Sequence, residues 1–156
     1  MMDRRRRNVM DRRRLILIVV TLAMMAFIFI QSALPGEVSG SESNVIVQIL
    51  AQITGADPES LSFGVRKTAH FTEYMILGGL LMMDAAGWRR RTTTQARAFC
   101  AWLVAALYAV SDEIHQYFVP ERACALMDMG IDSAGAAAGV LIVALILTRK
   151  SRIRNK

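Results

Sequence analysis

Apolar and polar positions alternate in long blocks along this chain of 156 residues. The first apolar block, LILIVVTLAMMAFIFIQSAL at residues 15–34, carries no charge over 20 residues, about the length that crosses a hydrocarbon core of about 30 Å. It is longer than the apolar region of a signal peptide, so a retained membrane helix is expected. Three further blocks follow at residues 67–86, 99–118 and 128–148. The pattern predicts an all-α, polytopic membrane protein that forms a bundle of four transmembrane helices.

Basic residues are concentrated in three segments outside these blocks. Seven arginines precede the first block, four lie between the second and the third, and five Lys or Arg follow the fourth, which places 16 of the 19 Lys and Arg there. Cytoplasmic segments carry this excess, so both termini are expected in the cytoplasm. The net charge of +6 is then a topology and anionic-lipid signal, and no nucleic-acid partner is expected. The predicted organisation is a basic cytoplasmic segment (1–14), a membrane domain (15–148) and a basic cytoplasmic tail (149–156).

The segment after the first block has its own pattern. PGEVSGSES at residues 35–43 has the composition of a turn, and NVIVQILAQI at residues 44–53 is too short to span the bilayer. The second stretch is predicted to be a short interfacial helix. In DPES, Asp57 is suited to cap a new helix whose first position is Pro58.

Polar residues interrupt the second, third and fourth blocks, and the predicted topology places all of these interruptions on the extracytoplasmic side. Helical spacing puts Lys67, His70 and Tyr74 on one face, and Asp112, His115 and Gln116 on another. Ionisable residues inside a membrane usually mark a functional site. The candidate catalytic residues are His70, Asp112, Glu113 and His115, and the candidate ligand-binding residues are Lys67, Tyr74, Gln116, Arg122, Asp128 and Asp132.

Three segments carry a resemblance to a known family. RKTAHFTEYMILGGLL, SDEIHQYFVPER and DMGIDSAGAAAG, in this order, resemble the VanZ-like membrane protein family, with Glu121 where a glycine commonly stands. The resemblance covers essentially the whole chain from the first block onward. It implies a small multi-helix protein of the bacterial plasma membrane. The family takes its name from an accessory role in glycopeptide (teicoplanin) resistance, and the resemblance brings no settled biochemical activity.

Several hypotheses fit the polar residues. Lys67 and Arg122 are expected to hold the anionic head group of a lipid-linked envelope precursor, with the carboxylates and histidines as acid and base, either in an enzyme or in a binding protein. Alternatively, the charged groups satisfy one another and only fix helix packing. A divalent metal held by His70, Glu73, His115 and the aspartates is a third hypothesis. An ion pathway is disfavoured because the inner halves of the spans lack an ionisable relay. Membrane lipids are the expected partners, and the oligomeric state is left open.

Overall fold

The computed structural model describes residues 2–87, 92–120, 122 and 124–154, without the side chains of residues 2–11 and 36–44. The arginines at positions 89–91, Glu121 and Lys156, which entered the sequence argument, lie outside the described residues. The described residues form five α-helices and no strand, which confirms the all-α class. These helices are α1 (Met2–Ala33), α2 (Gly36–Thr54), α3 (Pro58–Ala86), α4 (Thr94–Gln116) and α5 (Leu126–Arg154).

Among the described residues, three helical stretches are long and apolar enough to cross a membrane: Arg12–Ala33, Thr94–Gln116 and Leu126–Arg154. The chain is therefore a multi-pass membrane protein. Helix α3 falls short of the same measure because His70 and Glu73 near its middle and Asp84 near its end lower its mean hydropathy. The predicted count of four spans thus depends on whether α3 packs at the same membrane depth as the other three helices.

Helix α2 corrects the prediction for the segment after the first span. The turn expected over residues 35–43 is wrong, because α2 begins at Gly36 and runs over 19 residues to Thr54. Pro35 precedes it with a φ of −53°, an angle close to that of a helix, so the proline starts the helix rather than breaking it. Gly55 ends it in the left-handed conformation, with a φ of 68°.

The beginning of α3 follows the predicted capping chemistry. The Asp57 side chain accepts a hydrogen bond from the Ser60 N–H at 3.0 Å, and Pro58 occupies the first turn. Thr93 caps α4 in the same way, through the Ala96 N–H at 3.1 Å. Both caps leave fewer N–H groups without a partner at the start of a helix.

The contacts between helices define two chain directions. Helix α5 packs along α3 with Gly135 next to Phe71 and Gly139 next to Met75, so the two helices run in parallel. Helix α4 runs against α3, since the cluster that joins Met82 to Ala101 lies near one end and the Tyr74–Tyr108 ring pair lies farther along. Helix α1 runs with α4, with Met25 bonded to Tyr108 and Ser32 to Asp112.

Small residues bring α3 and α5 into backbone contact. A Cβ added at Gly135 would collide with the Phe71 carbonyl, and one added at Gly139 would collide with the Met75 carbonyl. Gly78 meets the Ala136 backbone in the same way. Glycines at this seam therefore let the two helices approach closely. Because the two backbones touch, the register between α3 and α5 is fixed.

The polarity of the bundle is inverted relative to a soluble protein. Large apolar side chains cover its outside, as on α5 at Leu141, Ile142 and Leu145. Polar and charged side chains are buried inside it: Thr21, Ser32, Asp112, Glu113, Gln116 and Asp132. An apolar exterior suits lipid tails, whereas a buried carboxylate requires partners within the protein.

Candidate functional site

A polar cavity of about 250 Å³ opens at the end of the bundle where α3 and α5 begin, called here the acidic end. It lies between the first half of α3, the end of α4, the loop after α4 and the start of α5. Its lining consists of Arg66, Lys67, His70, Gln116, Arg122, Ala125, Asp128, Ile131 and Asp132. Six of the predicted site residues are therefore brought to one cavity: Lys67, His70, Gln116, Arg122, Asp128 and Asp132.

The parallel register of α3 and α5 places two pairs of ionisable side chains across the cavity wall. Lys67 forms a salt bridge with Asp128, and both side chains keep partial exposure, 17% and 23%. The Lys67 ammonium also lies over the Phe63 ring, 4.9 Å from its centroid. The charge of Lys67 is thus balanced within the protein, as the alternative hypothesis of mutually paired charges expects.

The second pair joins His70 to Asp132, one turn deeper on each helix. The Nδ1 atom of His70 lies 3.9 Å from an Asp132 carboxylate oxygen, too far for a direct hydrogen bond but close enough for attraction. Asp132 is fully buried, and neither of its oxygens has a hydrogen-bond partner among the described residues. A histidine that faces a cavity with a carboxylate behind one ring nitrogen has the arrangement of a general base or acid.

A buried hydrogen-bond network connects α1 to α4 beside the cavity. The Ser32 hydroxyl donates to an Asp112 oxygen at 2.7 Å, and the Gln116 amide donates to the same oxygen at 3.1 Å. Gln116 also lies 3.3 Å from the Ser32 oxygen. The fully buried Tyr74 hydroxyl lies next to Asp112 on the α3 side. Asp112 is therefore held inside the bundle and does not line the cavity.

Arg122 is fixed in the cavity wall by neutral acceptors. Its guanidinium donates to the Leu34 carbonyl at 3.0 Å, to the Gln31 carbonyl at 3.1 Å and to the Gln116 side-chain oxygen at 3.2 Å. Among the described residues it forms no salt bridge. Burial lowers the pKa of Arg122, but an arginine in a protein keeps its charge. Its remaining N–H groups are available to a ligand in the cavity.

Besides Asp112, two more of the candidate catalytic residues lie away from the cavity lining. Glu113 is buried and accepts a hydrogen bond from the Ala125 N–H at 3.0 Å, immediately before α5 begins. His115 stacks on Phe29 of α1, with ring centroids 4.3 Å apart. The first contact connects α4 to the loop before α5, and the second connects α4 to α1. The geometry therefore favours structural roles for Glu113 and His115 and leaves His70 as the titratable candidate that faces the cavity.

Two residues of the site were not predicted from the sequence. Ser32 lies at the end of an apolar block, where a single hydroxyl gives little signal, yet it is fully buried against Asp112. Arg66 lines the cavity beside Lys67, and its position in the sequence could have identified it. Together with Lys67 and Arg122, it completes the set of basic residues that lie outside the three basic segments.

The metal hypothesis gains no support from the geometry. Within the described part of the chain, no group of three or more His, Cys, Asp or Glu side chains converges closely enough to hold a metal ion. His115 stacks on Phe29 rather than approaching His70, and Glu73 is not part of the cavity lining.

Comparison with known proteins identifies a family. No curated protein and no solved structure matches the chain. The model of the VanZ/LLP1 family matches residues 17–147, which include the second half of α1, all of α2, α3 and α4, and most of α5. This match covers most of the chain and confirms the resemblance carried by the polar segments. The chain belongs to the VanZ/LLP1 family.

Proposed function

We propose that the protein crosses the plasma membrane four times, with both termini in the cytoplasm, and that α3 is the span that hydropathy alone does not identify. Helix α3 lies in parallel against α5 from Phe71 to Gly79, opposite the stretch from Gly135 to Val143. Because α5 is apolar enough to span, its close neighbour is at the same membrane depth. The two chain directions alternate as four crossings require, and the basic segments then fall on one side.

We further propose that the polar cavity binds a phosphate-bearing head group of a lipid-linked envelope precursor at the extracytoplasmic face. The observation that carries this proposal is the position of three cations. Arg66, Lys67 and Arg122 are the only Lys or Arg in the sequence outside the three basic segments, and all three line the cavity. Basic residues are disfavoured on the extracytoplasmic side, so their convergence there needs a purpose.

The charges that face the cavity suit an anion. Asp112 and Glu113 are engaged inside the bundle with Ser32, Gln116 and a backbone N–H, and Asp128 is paired with Lys67. The cavity lining itself carries three cations, Arg66, Lys67 and Arg122, against the two carboxylates of Asp128 and Asp132, so basic groups are in excess there. A guanidinium held in place by neutral acceptors is pre-organised for phosphate, because little side-chain entropy remains to be lost on binding.

The same geometry limits what the site holds. A volume of about 250 Å³ is at the lower end of ligand pockets, which suits a head group rather than a whole lipid. His70 is the residue placed to transfer a proton to or from that group, with Asp132 behind it. Binding without turnover requires only the cations, whereas an enzyme also requires His70. A contribution to glycopeptide resistance would follow from binding an envelope precursor.

A structural role is the second candidate, and one observation favours it. The Ser32–Asp112–Gln116–Arg122 network joins α1, α4 and the loop before α5, so it would fix helix positions even without a ligand. Breaking such a network lowers stability because its buried partners lose hydrogen bonds. The two candidates therefore differ in whether ligand binding and stability change together.

The deciding experiment uses the full chain and Arg122→Lys beside Arg122→Gln. Native mass spectrometry measures binding of a polyprenyl phosphate, phosphatidylglycerol and phosphatidylcholine, and thermal unfolding is followed in the same detergent. We expect Arg122→Gln to weaken polyprenyl phosphate about tenfold or more, since a hydrogen bond to a charged group contributes about 1.5–3 kcal/mol, and Arg122→Lys to weaken it less. Arg149→Gln, an exposed change at the other end of the bundle, is the control.

Equal binding of polyprenyl phosphate and phosphatidylcholine, or unchanged binding by a folded Arg122→Gln protein, would contradict the head-group proposal. A large drop in unfolding temperature with no selective lipid loss would favour the structural candidate. Stronger binding of phosphatidylglycerol than of polyprenyl phosphate would keep the phosphate site but reject the envelope precursor as its ligand.

A further inference from the structure

A second cavity, of about 320 Å³, lies at the opposite end of the bundle, called here the basic end. It is formed by the last turn of α3, the first turn of α4 and the last turns of α5. Arg97 of α4 and Arg152 of α5 both line it, together with hydroxyl side chains of Thr94, Thr148 and Ser151. Two cations from separate helices therefore line one open cavity.

The charged side chains that line this cavity in the described part of the chain are all basic. Among the described residues, no acidic side chain lines this cavity. Asp84, the acid on the neighbouring part of α3, is bonded to the Thr21 hydroxyl at 2.7 Å on the α1 side of the bundle. The cavity also lies at the start of α4, where Thr94 is the first helical residue and the helix dipole favours an anion.

The floor of the cavity is apolar. Met82 and Leu147 line its inner part and pack in the same hydrophobic cluster as Ala101 and Val140. Guanidinium and hydroxyl groups at the mouth, with an apolar floor, match an amphipathic ligand whose anionic end lies at the membrane surface. Basic cavities between membrane helices on the cytoplasmic side bind anionic lipid head groups for this reason.

We propose that the basic-end cavity binds the phosphate group of an anionic phospholipid from the leaflet at that end, with Arg97 and Arg152 as its main ligands. A planar guanidinium binds phosphate oxygens through two parallel hydrogen bonds, and its several N–H groups let it keep a protein neighbour at the same time. The site is distinct from the polar cavity, at the other end of the helices, so it does not depend on the function proposed above. Free phosphate shares this chemistry and is the alternative source.

The test compares two double variants of the full chain that each remove two positive charges at the same end. Arg97→Gln with Arg152→Gln changes the cavity, whereas Arg149→Gln with Lys150→Gln changes exposed side chains that do not line it. Native mass spectrometry reports phosphatidylglycerol, phosphatidylcholine and inorganic phosphate, each added alone. We expect the cavity variant to bind phosphatidylglycerol at least about tenfold more weakly and the control variant to lose less than about threefold.

Ser151→Phe provides a second, independent variant that keeps both arginines. The position is exposed near the end of α5, so folding should be retained while the ring fills the cavity mouth. It should reduce phosphatidylglycerol binding to the same extent as the arginine variant, which decides the matter even if that variant fails to fold.

The outcomes separate cleanly. Selective loss of phosphatidylglycerol in the cavity variants supports the lipid site. Binding of inorganic phosphate without lipid, lost in the same variants, supports the phosphate site and assigns it to a soluble ligand. Equal loss in the cavity and control variants, or equal affinity for phosphatidylcholine, would overturn the proposal, because general surface charge or simple lipid contact would then explain the binding. Loss of polyprenyl phosphate in Arg122→Gln leaves this result unaffected.

Discussion

Gly139→Ala is the substitution whose effect the packing defines most sharply. The residue lies at the α3–α5 seam, where an added Cβ would overlap the Met75 carbonyl and come within 2.9 Å of the Gly79 nitrogen. Both of these groups belong to backbone, so no side-chain rotation relieves the overlap. The helices must separate by roughly 1–2 Å to restore an ordinary contact distance.

The expected cost follows from comparison with two other glycines. Overfilling a well-packed interface costs about 1–3 kcal/mol. At Gly130, in the first turns of the same helix, nothing lies within 4 Å of an added Cβ, so Gly130→Ala should gain up to about 1 kcal/mol from helix propensity. At Gly79, on the α3 side of the seam, the nearest atom is a flexible Val143 methyl at 3.4 Å, so Gly79→Ala should change stability little.

The assay is unfolding by a denaturing detergent, followed by tryptophan fluorescence, for the three alanine variants and the natural chain. The expected order of stability is Gly130→Ala highest, then Gly79→Ala, then Gly139→Ala lowest, with about 2–4 kcal/mol between the extremes. Separation of the seam would also shift the cavity residues of α3 relative to those of α5, so polyprenyl phosphate binding should weaken in Gly139→Ala alone. If Gly139→Ala is as stable as Gly79→Ala, the close α3–α5 contact and the register argument built on it are wrong.

Two further outcomes test the network and the topology. Ser32→Ala should lower the free energy of unfolding by about 1–3 kcal/mol, because buried Asp112 loses a 2.7 Å hydrogen bond. The control is Ser111→Ala, at an exposed serine bonded within its own helix, which should change the free energy of unfolding by less than about 0.5 kcal/mol. Equal effects of the two substitutions would contradict a stabilising role for the network. In intact cells, a membrane-impermeant maleimide should label exposed Cys124. In a Cys124→Ser, Thr93→Cys double variant, the same reagent should label the new cysteine only after the membrane is permeabilised. The reverse pattern would refute the proposed orientation.

Much of the architecture was predictable from local chemistry. The Asp57 cap is encoded by adjacent residues, and the distribution of arginines encodes an alternation that the helix directions later match. The convergence of Lys67 with Asp128 and of His70 with Asp132 was predictable in outline, because equal spacing on two helices that begin on the same side gives equal depth. In these cases, helical period and chain direction alone carry the information.

The remaining features depend on tertiary contact, which local patterns do not encode. Residues 35–43 have turn composition, but the packing of α2 against α3 and the fixed angle of Pro35 favour a helix. Arg122 was expected to require a carboxylate partner and instead bonds carbonyls at the end of α1, a segment far away in the sequence. Glu113 likewise finds a backbone N–H across the loop before α5.

The partners of the acidic residues divide the site into two parts with different tasks. Asp112 bonds to α1, Glu113 to the start of α5, and Asp128 to α3, so each of these carboxylates joins its own helix to another element. Arg122 bonds only neutral acceptors in the described residues, and it keeps a positive charge directed at the cavity. Removal of a carboxylate should therefore mainly lower the free energy of unfolding, since a buried contact between helices is lost. Removal of the Arg122 charge should mainly lower the affinity for the ligand, since the neutral partners of Arg122 lose only hydrogen bonds. A cluster that is net negative by composition is in this way able to present the Arg122 guanidinium to a ligand, because Asp112 and Glu113 are bonded away from the cavity and Asp128 is paired with Lys67, which leaves Asp132 as the unpaired carboxylate of the lining.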